Sequence, residues 1–142
     1  VVTPLVDADP VALAVAYLAS HPDVTAAHGA TGRVDGRNRQ PYPRTVITDP
    51  PGSDGALRWL TLPTLQVEVL GDVDGRPGKA VLRRILYTVL GALMDWPSMP
   101  VTGAQPVVTD VTSRVGGGWV PLGNGQPRYV ATVQIGLHPP RV

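Results

Sequence analysis

The sequence contains no cysteine, a single lysine (Lys79) and a single glutamate (Glu68). Without cysteine neither a disulfide nor a thiolate metal site can staple the fold, and a reducing cytoplasm is the expected setting. The lone glutamate leaves paired-carboxylate chemistry to aspartates that no spacing brings together. Net charge is also missing. Twelve Lys and Arg stand against 11 Asp and Glu, giving +1, which supplies no broad field for gripping nucleic acid or an anionic membrane. The expected partners are proteins. No apolar run approaches the roughly 20 residues that span a bilayer. The most apolar N-terminal stretch, Val11 to Ala19, follows Asp7 and Asp9 where a secretory signal carries Lys or Arg. A soluble chain without membrane association is expected.

What is present is a well-punctuated set of periodic segments. At 142 residues, 43% hydrophobic and 16% charged, the chain suits one domain spanning 1–142, with enough apolar material for a core. Glycine and proline, 16 each, cluster between the segments, and no internal repeat divides the chain. Asp9-Pro10 reads as an N-cap followed by proline at the first helical position, so Val11 to Ser20 is predicted helical until His21-Pro22 stops it. Gly29 to Arg44, rich in Gly, Arg and Asn, reads as an exposed loop or loose hairpin arm. Arg44 to Thr48 is β-branched and bounded by prolines, hence a short strand. Asp49 to Gly55 is a turn region.

Leu65, Val67 and Val69 alternate with Gln66 and Glu68, the pattern of a strand with one face in a core. After the Gly71 to Gly78 loop, Lys79 to Asp95 is the main helix. Its apolar residues Val81, Leu82, Ile85, Leu86, Val89, Leu90 and Leu93 form a stripe wide enough to cover a sheet and touch a neighbouring subunit. Trp96-Pro97 ends it. Val107 to Val115 follows, then Gly116-Gly-Gly118 as a break, then a hairpin in which Trp119 to Leu122 and Arg128 to Leu137 flank Gly123 to Gln126. The fold class is therefore α/β of the α+β kind, a mostly antiparallel sheet with two main helices packed on one face. The other face carries Gln66, Glu68, Asp110, Thr112, Arg114, Thr132 and Gln134, and is either solvated or an interface or pore lining.

A search for chemistry finds none that holds together. Gly78-Lys79 ends like a phosphate-binding loop, but Val73 and Ala80 stand where that motif needs glycine and a hydroxyl. Asp72-Val-Asp74-Gly75 begins like a calcium loop and lacks the third acidic ligand and the closing glutamate. His21, His28 and His138 are single, as surface or loop histidines are. Ser20, Ser53, Ser98 and Ser113 have no nucleophile-elbow context. No catalytic residue, cofactor or metal is expected, and the chain is not read as an enzyme. The densest basic stretch, Arg33, Arg37, Arg39 and Arg44 with Tyr42, admits three readings: a solvated loop, a protein contact, or a nucleic-acid backbone contact. Of Trp59, Trp96 and Trp119, Trp96 is assigned to the core, and Trp119 beside the three glycines to a contact.

The order and register of these segments resemble the tail terminator, or tail completion, proteins of siphophages, including the minor tail proteins that cap lambda-like tails. The helix Asp9-Pro-Val-Ala-Leu-Ala-Val-Ala-Tyr-Leu18, the strands Pro43 to Thr48 and Leu65-Gln-Val-Glu-Val69, and the helix Ala80 to Leu93 carry the likeness. Gly118-Trp-Val-Pro-Leu122 and Arg128-Tyr-Val-Ala-Thr-Val-Gln-Ile135 complete it. The Gly71 to Gly78 loop departs from the short polar link of many relatives. The resemblance implies a structural virion protein at the head-proximal end of the tail, assembled in the host cytoplasm. It would form a hexameric homo-oligomer that docks on the major tail tube protein, ends tube polymerisation and meets the head-tail connector, with DNA passing its pore unread. Arg33, Arg37, Arg39, Tyr42, Arg114, Trp119 and Arg128 are the candidate subunit and partner contacts, and the Arg33 to Tyr42 arm and the Gly116 to Gly125 loop are the segments expected to make the ring contacts. A head-completion or neck protein of the same particle is the alternative, and a small-ligand binding module a more distant one.

Overall fold

The computed structural model describes residues 9–50, 62–99 and 106–138. Helix α1 (Pro10–Ser20) begins where the side chain of Asp9 accepts the Ala12 N–H at 3.1 Å, with proline at the first helical position. His21 ends it with extended backbone and at once caps a second helix, α2 (Pro22–His28), its Nδ1 accepting the Asp23 N–H at 3.3 Å. His21-Pro22 thus stops one helix and starts another. The sequence reading had only the stop, although cap-then-proline repeats the Asp9-Pro10 device. Gly29, at φ 78°, closes α2 in the left-handed conformation that favours glycine.

Five strands follow: β1 (Val34–Asp35), β2 (Arg44–Thr48), β3 (Thr64–Leu70), β4 (Val107–Trp119) and β5 (Arg128–His138). They form one sheet in the order β1-β2-β3-β5-β4, parallel between β1 and β2 and antiparallel elsewhere. Helix α3 (Lys79–Asp95) connects β3 to the last two strands and runs into a 3-10 turn at Trp96–Ser98. The expected α+β class, a mostly antiparallel sheet with helices packed on one face, is what the chain adopts, with α2 as a third helix packed on α3.

Register explains the core. Leu65 faces Val133, Val67 faces Ala131 and Val69 faces Tyr129 across the β3–β5 pair, so one row of apolar side chains meets the helices. Leu82, Ile85, Leu86, Val89, Leu90 and Leu93 of α3 and Ala14 and Leu18 of α1 close over that row, each large side chain contributing about 1.5–3 kcal/mol. The wide stripe of α3 is therefore absorbed inside the chain; of the residues assigned to it, only Val81 is exposed. Trp96 is half-buried against the core, stacked on Tyr17 with centroids 4.7 Å apart, while the Tyr17 hydroxyl donates to Ala92 O at 2.6 Å. Trp59 lies outside the described residues. Among those described, no helix is long and apolar enough to cross a membrane.

Three sequence expectations change. Gly116-Gly-Gly118 is no break but the end of β4, irregular in register between Val115 and Gly118. A Cβ on Gly117 would stand 3.0 Å from Leu86 Cδ2 and 3.2 Å from the Tyr87 hydroxyl, so glycine lets the strand approach α3. Arg44, counted with the exposed basic stretch, is buried. His28 is buried as well. Its Nδ1 lies 2.7 Å from Val24 O, which can only accept, so Nδ1 donates there; Nε2, 2.7 Å from Thr45 Oγ1, accepts the threonine hydroxyl.

Burial favours the neutral form of that imidazole. Desolvation lowers the pKa of His28, the hydrogen bond to Val24 opposes it, and Arg33 and Arg44 add to the lowering. The unfolded chain therefore binds more protons below about pH 6.5. Stability should fall as pH drops through that value and level off below the lowered folded value. Thermal unfolding followed from neutral pH to about pH 5 should show this slope, and His28→Gln, which keeps both hydrogen-bonding capacities without titrating, should flatten it.

Candidate functional site

Chain direction brings three loops to one end of the sheet. The arm of residues 29–43 enters β2 there, the 71–78 loop leaves β3 there, and the turn of residues 120–127 joins β4 to β5 there. Arg33, Arg37, Arg39, Tyr42, Trp119 and Arg128, named from two separate stretches of sequence, are all carried by this end. Arg114 is not; it sits further along β4, where its Nη2 donates to Gln134 Oε1 at 2.6 Å on the open face of the sheet.

The arm is held rather than loose. Thr45 N–H donates to Arg33 O at 2.8 Å, continuing the β1–β2 pairing, and Arg33 Nη1 donates to Pro43 O at 3.2 Å. Arg44 reaches back beneath the arm: its Nε donates to Arg39 O at 2.7 Å and its Nη2 to Gln40 O at 3.5 Å. Its Nη1 has no hydrogen-bond partner and lies 3.8 Å from Asp35 Oδ2. Asp35 also pairs with Arg39 at 2.5 Å. The Gly36 N–H, then the Arg39 and Arg44 charges, hold the Asp35 carboxyl below its usual range against the opposing effect of burial. Arg37 alone among the arm's arginines makes no hydrogen bond or ion pair with the described residues.

Gln126 ties the arm to the other two loops. Only 2% exposed, its Nε2 donates to Gly71 O at 2.7 Å and to Asn38 Oδ1 at 3.1 Å, while its Oε1 accepts Asn38 Nδ2 at 2.9 Å. Tyr42 adds a hydrogen bond from its hydroxyl to Asn38 Oδ1 at 2.6 Å. Gly71 N–H donates to Pro127 O at 3.0 Å, and a Cβ on Gly71 would lie 2.7 Å from Pro127 Cγ and 3.0 Å from Pro77 O, so the loop and turn approach closely only around glycine. On the far side of the turn Arg128 donates from Nε to Val120 O at 2.9 Å and pairs with Glu68 at 3.2 Å, and Glu68 also accepts from Gln66. Trp119, half-buried, packs on Tyr129, centroids 5.6 Å apart, with the Lys79 ammonium 5.6 Å from its ring.

The outcome is a rigid platform built on polar ties. Exposed on it are Arg37, Val73 (61%) and Val120 (48%). Sequence reasoning missed Asn38 and the buried Gln126 and Arg44, because a polar residue outside a periodic segment carries no pattern that marks its contacts. Among the described residues no group of three His, Cys, Asp or Glu could hold a metal ion. A scan against known protein families finds no match, and no curated protein matches the sequence.

Because Asn38 and Gln126 satisfy each other twice, a double-mutant cycle with Asn38→Ala and Gln126→Ala in urea unfolding should give a coupling energy of about 1–3 kcal/mol. Independent, additive effects would show the tie to be energetically idle. Gly71→Ala should destabilise by about 1–3 kcal/mol through the clash with Pro127, read in the same unfolding assay.

Proposed function

We propose that this chain is a structural, non-catalytic subunit that closes into a ring of identical copies, acting in the manner of the tail terminators it resembles. The observation that supports this reading is the Gln126-centred platform. Three loops are tied to one another within the chain, which lowers the entropic cost of association. A loop cluster fixed by buried polar ties and exposing Arg37, Val73 and Val120 suits repeated docking of one geometry.

Closure of a ring from one kind of subunit requires a second, different patch on each copy. The sheet face left uncovered by helices supplies it in this reading. Along β4 it carries Asp110, Thr112 and Val115, the last 60% exposed, beside the Arg114–Gln134 pair. Platform against open sheet face is a heterologous contact, and its repetition gives the hexamer implied by the resemblance. Such a ring would cap the tail tube, stop its growth, receive the head connector and let DNA through its centre.

Native mass spectrometry with negative-stain imaging tests the reading: a closed oligomer with a central hole is expected. Arg37→Glu is the informative variant because that side chain makes no hydrogen bond or ion pair with the described residues. Arg39 and Arg44 brace the arm, so charge reversal there would confound folding with assembly. Arg37→Glu should shift the distribution toward monomers with unchanged thermal stability. A wild-type protein that stays monomeric at high concentration would contradict the proposal.

A further inference from the structure

Among the described residues, the two most exposed large apolar side chains are Val73, at 61%, and Val115, at 60%. A single valine on a surface is ordinary, but these two have flanks of opposite sign. Val73 stands between Asp72 and Asp74 on the 71–78 loop, and Val115 follows Arg114 on β4. The loop presents its valine on a fixed turn: Gly75 N–H donates to Asp72 O at 2.9 Å and Asp72 N–H to Arg76 O at 2.8 Å, with Gly75 at φ 85°. Each aspartate gives one carboxylate oxygen to this turn, Asp72 to the Val73 N–H at 2.6 Å and Asp74 to the Arg76 N–H at 2.9 Å.

Register places the second valine. Val115 pairs with Thr132 and Thr132 with Gln66, so Val115 belongs to the sheet face that the helices leave open. Arg114 occupies the register shift between Ser113 and Val115, and Gln134 holds its Nη2 on that same face at 2.6 Å. The rest of its guanidinium is exposed with it. Among the described residues the ion pairs are Arg39–Asp35, Arg44–Asp35 and Arg128–Glu68, so Asp72, Asp74 and Arg114 have none. The loop passes from β3 into the helix layer, whereas Val115 lies on the opposite side of the sheet. The two segments therefore serve one another between copies and not within one.

We infer that Asp72-Val73-Asp74 of one copy docks on Arg114-Val115 of the next, valine against valine, with the carboxylates meeting the guanidinium. The inference rests on the ring reading and gives its platform-to-sheet contact a register. A second copy is the occupant because the two segments match in charge sign and in apolar character at once. Exposed ion pairs contribute little to affinity, so here they select partner and orientation, while burial of the two valines and the rest of the platform supplies the attraction. Because the segments lie on opposite sides of the sheet, the same partner does not return the contact. Each pair of copies leaves one loop and one strand unused, the head-to-tail arrangement from which a ring closes.

Sedimentation velocity with negative-stain imaging of the full chain and two charge-swapped variants tests this. The loop variant combines Asp72→Asn, Val73→Lys and Asp74→Asn, which makes the loop cationic while each asparagine keeps an oxygen for the local N–H. The strand variant is Arg114→Glu. Each alone should associate at least about tenfold more weakly than the wild type, a difference of about 1.4 kcal/mol, with unchanged far-ultraviolet circular dichroism. Mixed, the two should regain association, because the cationic loop meets the acidic strand and the unaltered loop meets Arg114; recovery in the mixture also shows that both variants fold. Wild-type rings that persist in either variant, or a loss that mixing does not repair, would overturn the inference and leave the ring reading standing. Open chains with the same pattern of loss and recovery would support the contact and contradict the ring. A wild type that stays monomeric would overturn both.

Discussion

The carboxamide of Gln126 is the constraint on which the loop-bearing end of the sheet depends. Buried between a turn, a loop and an arm, it uses both N–H donors and its carbonyl, to Gly71 and Asn38, so no part of it is left unpaired. A buried amide with every group satisfied fixes distances and angles in a way that apolar contact does not. Removing Asn38 leaves groups of the buried Gln126 unpaired, at about 1–3 kcal/mol for each. Arg44 holds the arm from beneath by two backbone carbonyls, while its Nη1 has only the Asp35 carboxylate 3.8 Å away. Order at this end comes from a few polar ties laid over an apolar core.

The two faces of the sheet divide the work. On one, the register of β3 and β5 aligns Leu65, Val67 and Val69 with Tyr129, Ala131 and Val133 under the helices, and this supplies most of the stability. On the other, Gln66, Glu68 and Arg128 form one tied group and Arg114 with Gln134 another. Gln66, Glu68, Arg128 and Gln134 are half-buried, and Arg114 is exposed. A half-buried, mutually satisfied polar face tolerates water and can exchange it for another protein surface without stranding charges. The same division appears in α3, whose inner stripe is consumed by the core while its outer side keeps unbalanced cations.

The core was legible in the sequence because periodicity reports burial directly. Alternation at Leu65, Val67 and Val69 gave β3 and its inward face, and the spacing from Leu82 to Leu93 gave α3 and the stripe it buries. Punctuation was harder to read. Proline at residue 22 marks an end and a beginning alike, so α2 was lost, and three consecutive glycines looked like a break where Gly117 serves a close approach of strand to helix. The candidate site was legible only in part. The arm and the glycine loop were named, but their meeting depends on chain direction across the sheet, which composition does not encode. Arg44 and His28 were misplaced for one reason: a charged or titratable residue in a loop-rich stretch is read as exposed unless its partners are known, and those partners are backbone carbonyls and one threonine hydroxyl.

Native-state hydrogen exchange tests the central claim most directly, since the account makes the arm, the 71–78 loop and the 120–127 turn one cooperative unit. The amides of Thr45, Gly71 and Leu122 donate to Arg33, Pro127 and Gln126 respectively, each reporting on a different segment. They should exchange with a common free energy of opening and respond together to denaturant. Three unrelated opening energies, with the arm amide exchanging near the unprotected rate, would contradict it.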